Sequence, residues 1–442
     1  MKIKVLISVI ILCIFGASLA AQEPQEEKSG LDFGLNLEIG AQVFNELDEN
    51  DNPVQVAYQM LILKPEIIYG KFGLGLYIPL HFRFLENDFD FRDEDWVVQD
   101  GENAADKYLP MFQYIRYGHK GDPVFAKLGS IDNATLGNGF IMGNYANTRF
   151  LPEKRIFGAS LDVDGQAFSF PYIGMETFVG NLSAFDVIGG RMFVRPIYML
   201  DVPVVKNLQV GVTYAMDRIP DYHFDFFDDP STVSMWGVDF KQPVVANDAI
   251  SLALYGDLVY QKSHRGIMVG TGGRFVKIVP WSVQLRFLGD NFVPEYFDST
   301  YDLYREWKYS IYEGSFTIDG YNCWYASTGL SLLGDTVVFN AGMQGVLGEP
   351  EYDYQYPQLN AALIVKEGVL PGFFFDASYE KKIIKDYDDL VSPENAVIGA
   401  RINYRAGTAV ITLGYNLRYN PDPGIGEDEW ETTTTLSTSV SF

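Results

Sequence analysis

Hydrophobic and polar residues alternate along most of this chain. From 31 to 43 one face carries Leu31, Phe33, Leu35, Leu37, Ile39, Ala41 and Val43, and the other carries Asp32, Asn36, Glu38 and Gln42. From 72 to 84 the apolar set is Phe72, Leu74, Leu76, Ile78, Leu80, Phe82 and Phe84, opposite Gly73, Gly75, Tyr77, Pro79, His81 and Arg83. The pattern returns over 208–216, 250–260, 281–287, 337–343, 359–365, 398–404 and 409–419. A period of two residues is the mark of a strand with one apolar and one polar face. The spans it predicts are 31–44, 56–68, 72–85, 109–118, 123–130, 155–163, 166–180, 188–198, 207–217, 232–241, 249–261, 265–278, 281–289, 321–333, 335–347, 357–366, 372–380, 395–405, 408–419 and 431–442.

A soluble sandwich would alternate in the same way, so strand length and connection length decide. Most of these strands run about 9–14 residues, against about 5–6 in ordinary sheets and about 9–11 for a membrane-crossing strand. Connections also alternate. Short ones fall at 69–71, 120–122, 164–165, 279–280, 334–335 and 406–407, and long, mostly acidic ones at 45–56, 86–107, 131–154, 218–231, 290–320, 348–356, 381–394 and 420–430. With both ends of the sheet on one side, every long loop follows an odd-numbered strand; the tight link 262–264 is the exception. The prediction is an all-β, antiparallel up-and-down transmembrane β-barrel occupying 31–442 as a single domain. It has about 16–20 strands, best read as about 18–20, with 155–198 and 232–241 the weakest patterns.

Composition supports this picture. Aromatics make up 15% of the chain, with 28 Tyr and 32 Phe, which suits girdles at two membrane interfaces. Mean hydropathy is near zero, as expected where an apolar exterior balances a polar interior. The formal charge is −25, which excludes nucleic acid as a partner, because phosphate contacts need Lys and Arg. Lys2 and Lys4 followed by an apolar 5–15 and a small-residue stretch read as a secretory signal peptide over 1–20, cleaved after Ala20. A short acidic segment at 21–30 is expected to be disordered. Beyond the leader Cys323 is the single cysteine, so no disulfide framework is expected.

The last stretch, 431–442, alternates Thr432, Thr434, Leu436, Thr438, Val440 and Phe442 against Thr433, Thr435, Ser437, Ser439 and Ser441. A closing strand that stops on an aromatic residue resembles that of Gram-negative outer-membrane β-barrel, porin-like proteins. The resemblance spans the region after the leader as a pattern, with no subfamily motif. It implies a place in the cell outer membrane, outer-membrane lipid as a partner, and a barrel-assembly machinery that reads the strand ending at Phe442. It also implies passive diffusion of small polar or charged solutes. Trimers are common among such barrels, so a homotrimer is an expectation that no sequence feature marks.

If the apolar face meets lipid, the polar face lines the interior. That assigns Arg83, Lys127, Arg191, Arg195, Arg286, Arg401, Arg405 and Arg418 inward, together with Asp32, Glu38, Asp257, Asp376 and Glu380. A charge on the lipid face would cost roughly 2–4 kcal/mol at the midplane. Cations and acids on opposite walls resemble the transverse field at a porin constriction; interior salt bridges that hold the barrel shut are the plainer use. The connection 131–154 is rich in Gly and Asn around an apolar Phe140-Ile141-Met142 centre, and is expected to fold into the barrel mouth. Its candidate residues are Asp132, Asn133, Asn138, Phe140, Met142, Asn144 and Asn147. The aromatic loop 290–320 either stacks sugars or packs on itself.

No phosphate loop, nucleophile elbow, metal-binding spacing or cofactor motif stands in the chain. His81 and His264 lack a spaced catalytic partner, so no enzyme activity, metal or cofactor is expected. The leading expectation is a porin-like channel. The alternatives are a plugged barrel carrying a hydrophobic substrate, resembling long-chain fatty-acid transporters, and an adhesin or structural barrel without a pore. The first alternative needs an N-terminal hatch, for which 21–30 is too short and acidic.

Overall fold

The computed structural model describes residues 30–47, 53–85, 88–98, 103–150, 155–200, 202, 204–221, 230–247, 249–419 and 430–441. The predicted leader, nearly all of the segment 21–30, and Phe442 lie outside the described residues. The strands are β1 (Leu31–Leu47), β2 (Pro53–Tyr69), β3 (Phe72–Leu76), β4 (Ile78–Leu85), β5 (Asp88–Phe91), β6 (Phe112–Tyr117), β7 (Val124–Gly129), β8 (Gly158–Asp164), β9 (Ile173–Val179), β10 (Val187–Val194) and β11 (Gln209–Asp217). They continue with β12 (Val233–Ala246), β13 (Ile250–Gln261), β14 (His264–Phe275), β15 (Val279–Leu288), β16 (Tyr321–Leu332), β17 (Val337–Val346), β18 (Gln358–Leu370), β19 (Phe373–Lys381), β20 (Ala396–Ala406), β21 (Ala409–Tyr419) and β22 (Trp430–Ser441).

All pair antiparallel in one sheet. β3 and β4 both pair with β2 and form one stave; β5 pairs with β4 and β6 with β3, forming the next. The sheet therefore has twenty staves. It closes where Asn36–Ile39 of β1 pair with Ser441–Thr438 of β22. Closure leaves no edge strand, the condition for placing backbone in hydrocarbon. The chain is an antiparallel up-and-down β-barrel.

The outer face carries large exposed apolar side chains in alternate positions: Leu31, Phe33 and Ile39 on β1, Val210, Val212 and Tyr214 on β11, Val283, Leu285 and Phe287 on β15. Water would not tolerate such a continuous belt, whereas lipid covers it. Outward aromatics gather at both rims. Phe275 stacks on Trp281 (5.5 Å) and Phe373 lies on Tyr404 (4.7 Å) near the short turns, and Trp236 stacks on Tyr260 (4.9 Å) near the long loops.

Several predicted boundaries move. The strand expected at 166–180 begins only at Ile173, because a 3₁₀ turn, Gly165–Phe168, and Pro171 precede it. The link expected at 164–165 is therefore longer. Val279 and Pro280 belong to β15, and the turn lies at 276–278. The connection between β10 and β11 is long although it lies on the short-turn side, and holds two 3₁₀ turns. The link after Gln261 is tight, and pairing continues to His264 across it.

Candidate channel constriction

Two long connections fill one side of the barrel. The segment 131–150 doubles back on itself: Ala134 and Tyr145 exchange both backbone hydrogen bonds at 2.9 Å. Its tip then runs beside the connection between β15 and β16. The Glu295 amide donates to Phe140 O (2.9 Å), Phe297 to Ile141 O (3.1 Å) and Gly143 to Phe297 O (3.1 Å). Phe140, Met142, Tyr296, Phe297 and Tyr301 are buried in the resulting core, with Met142 at 0% exposure. Glycines on the inner wall make room for this plug. A Cβ on Gly266 would stand 2.3 Å from the Phe292 ring, and one on Gly189 2.8 Å from Leu136. A helix, Arg305–Glu313, continues the second connection and is closed by Gly314 in the left-handed conformation.

Charge fixes the plug to the wall. Arg305 is fully buried among Asp186 (2.8 Å), Asp302 (3.2 Å) and Asp217 (3.3 Å). Asp302 also accepts from the Tyr145 hydroxyl (3.0 Å), and Asp217 from the Tyr301 hydroxyl (2.6 Å). Burial works against the charge of Arg305, but Asp217, Asp302 and Asp186 outweigh it and hold the guanidinium pKa well above its ordinary value. Burial pushes the Asp302 carboxyl up to about 6 despite the neighbouring Arg305. Three carboxylates around one cation leave excess negative charge, which a proton on Asp302 relieves. Lys308, also in this loop, is pushed down by burial against the pull of Asp298 at 2.7 Å.

The structure relocates several charges expected to face a solute. Arg191 is buried, with a bidentate contact to Asp239 (2.9 and 2.6 Å) and a third bond to Glu176 (3.1 Å). Arg286 is buried against Glu295 (2.6 Å), Gln284 (2.7 Å) and Gln344 (3.1 Å). Arg195 is buried near the short turns, on Asp164 (3.0 Å) and Pro171 O (2.8 Å). Asp257 accepts from Asn138 (2.9 Å), beneath the plug. These side chains do point inward, but the plug covers them or local bonds consume them.

On the rest of the barrel the inward charges lie outside the plug core, most openly at one pair. Arg401 keeps 68% of its side-chain exposure and Asp376 36%, and they pair at 3.0 Å. Arg405 pairs with Glu367. Glu38 pairs with Lys64 (2.5 Å), Arg83 with Asp90 (2.6 Å) and Lys127 with Asp132 (3.6 Å). Arg149 reaches from the plug to Glu380 (3.6 Å) and joins the two walls. Arg418 sits in register with Glu431; its side chain lies outside the described residues. Asn360, Ser378, Asn416 and Thr435 keep the rest of this wall polar and exposed.

Within 131–150, Phe140, Met142 and Asn147 are buried. The Asn147 side chain accepts from Ile131 N (2.8 Å) and donates to Gly180 O (2.9 Å). Asp132, Asn133 and Asn144 are exposed. In the aromatic loop Phe292, Tyr296, Phe297, Tyr301, Tyr309 and Tyr312 are buried, so packing accounts for them; Trp307 and Phe316 are exposed. Sequence reasoning missed Asp186, Asp217, Asp302 and Arg305. The i,i+3 pair Asp302–Arg305 amid aromatics was the available signal. His81 is held between Asp95 (2.6 Å) and Gln42 (3.2 Å). Among the described residues no group of His, Cys, Asp and Glu is placed to hold a metal.

No family model and no curated protein matches the sequence. Among solved structures, Pseudomonas aeruginosa OpdL is similar over 93% of this chain and 98% of its own, at 9% identity and TM-score 0.32. Acinetobacter baumannii OccAB3 matches over 93% and 99%, at 11% identity and TM-score 0.34. Pseudomonas aeruginosa OccK2 (OpdF), solved in complex with glucuronate, matches over 93% and 98%, at 10% identity and TM-score 0.33.

Proposed function

We propose that this chain is an outer-membrane channel for passive diffusion of small polar or charged solutes. One observation carries the reading: a closed barrel with a lipid-type exterior keeps an exposed hydrophilic lumen wall that carries Arg401 and Asp376. Solutes would pass between that wall and the plug, selected by size and by the field of the lumen charges. Neither step needs a cofactor or a covalent intermediate. The basic and apolar leader would export the chain, and the strand ending at Phe442 would present it to the assembly machinery. Assembly as a homotrimer belongs to the same reading.

The test is single-channel conductance of the refolded chain in a planar bilayer. Stable steps are expected, and Arg401→Glu should shift selectivity toward cations. Arg286→Glu is the wrong probe, since it would set a second acid against Glu295 inside the plug. Silence from protein shown to be folded and inserted would sink the open-channel reading.

A further inference from the structure

Alternation sends nearly every charge on the strands inward. Along the regular ladders, the described residues put two charged side chains on the outward parity, Arg265 of β14 and Lys381 of β19. Lys381 is buried and donates to Ser392 O (3.1 Å) and Glu394 O. Arg265 is exposed, and among the described residues its guanidinium has no hydrogen bond, ion pair or ring contact. Its neighbours fix its direction. Gly266 faces the plug, where a Cβ would stand 2.3 Å from Phe292, and Met268 lies in the plug core. Ile267 and Val269 share the opposite, exposed face with Arg265.

The register aligns Tyr214 of β11 with Trp236 of β12, Trp236 with Tyr260 of β13, and Tyr260 with Arg265. These four side chains form one outward row at the long-loop rim. Trp236 stacks on Tyr260 (4.9 Å, 19° between the rings), and Tyr214 and Trp236 are each about half exposed. The row beneath is apolar, with Val238, Leu258 and Ile267 in register. The described charges nearby are spent on one another or on the backbone. Lys262 pairs with Glu313 (3.0 Å), which also accepts from the Ser231 hydroxyl, and Asp290 accepts from Gly320 N (2.8 Å). Arg265 therefore stands as an unpaired cation where the apolar belt meets the polar rim, the level at which a lipid changes from chain to headgroup.

We propose that Arg265 and this aromatic row bind the phosphate of a lipid in the leaflet on the long-loop side. The guanidinium offers a fork of donors that matches phosphate geometry, and an anion gains more from a cation at a partly dry interface than in water. The acyl chains lie on the stacked Trp236–Tyr260 face and on the apolar row below it. That surface is continuous with the lipid belt and has no enclosing wall, which assigns a lipid headgroup and not a free phosphate ion. The site rests on the place of the barrel in a membrane and goes beyond the channel reading.

The test uses the full refolded chain in nanodiscs of phosphatidylcholine that carry brominated phosphatidic acid, a lipid that quenches tryptophan on contact. The quenching lost in Trp236→Phe reports this row. The quenching lost in Trp324→Phe reports an outward tryptophan of β16 whose register partners are Leu285 and Gly345. At Trp236 phosphatidic acid should be favoured over brominated phosphatidylcholine by at least about fivefold, and at Trp324 about equally. Arg265→Gln should bring the Trp236 preference down to the Trp324 value, and Arg265→Lys, which keeps the charge, should hold it above that value. Inorganic phosphate at the same concentration should leave the quenching unchanged; displacement would overturn the lipid assignment. A preference that is absent in the unmodified chain, or unchanged in Arg265→Gln, would overturn the site. A barrel that is silent in the planar bilayer yet keeps the preference would overturn the channel reading and support the site.

Discussion

The walls behind and opposite the plug have the same strand geometry and inward charges, yet use them differently. From β9 to β16 the inner face carries glycines where the plug presses closest, at Gly189, Gly237 and Gly266, and two connections pack an apolar core against it. Arg191 and Arg286 there are buried and each is held by several partners, as Arg305 of the plug is by Asp186, Asp217 and Asp302. From β17 through β22 the inner face keeps hydroxyls and amides, and the pair Arg401–Asp376 stays exposed. A buried charge that loses its partner is costly, whereas an exposed pair contributes little to stability. The first wall holds the plug; the second leaves its charges uncovered. Inward direction alone does not separate the two roles. What lies over the side chain does.

The widest separation between the walls should come from truncating one arginine on each. Arg305→Leu leaves three buried carboxylates around a vacated centre and should cost roughly 3–5 kcal/mol in docking of the plug. Single-channel steps should grow and 289–320 should become open to chymotrypsin. Arg401→Leu should cost under about 1 kcal/mol and change selectivity instead. Equal losses in urea unfolding would erase the distinction.

Glycines offer a milder version. Gly266→Ala drives a methyl into Phe292 at 2.3 Å and should cost roughly 1–3 kcal/mol by overpacking. Gly399→Ala, on the open wall, meets the Ser378 Oγ at 2.8 Å, which can rotate away, so the loss should stay within about 0.5 kcal/mol. Thermal midpoints of the two variants decide this.

The smallest effect is with pH. Asp302 has a folded pKa raised to about 6, above its unfolded value. Its contribution to plug docking is therefore full below the ordinary carboxylate range and is lost as pH rises through about 6. Amide exchange over 296–312, corrected for its intrinsic pH dependence, should be slower at pH 5 than at pH 7.5. Asp302→Asn should flatten the difference. Faster exchange at the lower pH in the unmodified chain would show that other carboxylates govern the plug.

Much of the barrel was legible because a period of two residues needs no tertiary information. β1, β13, β20 and β21 stand close to where alternation puts them. The errors cluster where a local breaker interrupts the period: Pro171 and the turn before it delayed β9, and the stave of β5 and β6 is broken by a short helix that alternation does not register. The charges were legible in direction only. Arg191 and Arg401 look alike in sequence, each an arginine on the polar face of a strand. Their difference arises from Glu176 on the neighbouring stave and Asp239 two staves away in one case, and from open lumen in the other.

The sequence by itself determined a lipid-faced barrel of about 16–20 strands, because alternation and strand length are local properties that one hydrophobic face enforces along each strand. It also marked 131–154 as unlike its neighbours, through glycines and an apolar centre. Only the tertiary structure decided which wall the plug covers and which carboxylates surround Arg305. It likewise decided that Tyr214, Trp236, Tyr260 and Arg265 stand in one outward row. Those contacts join residues as far apart as Asp186 and Arg305, and their free energy depends on burial and geometry that exist only once the barrel has closed.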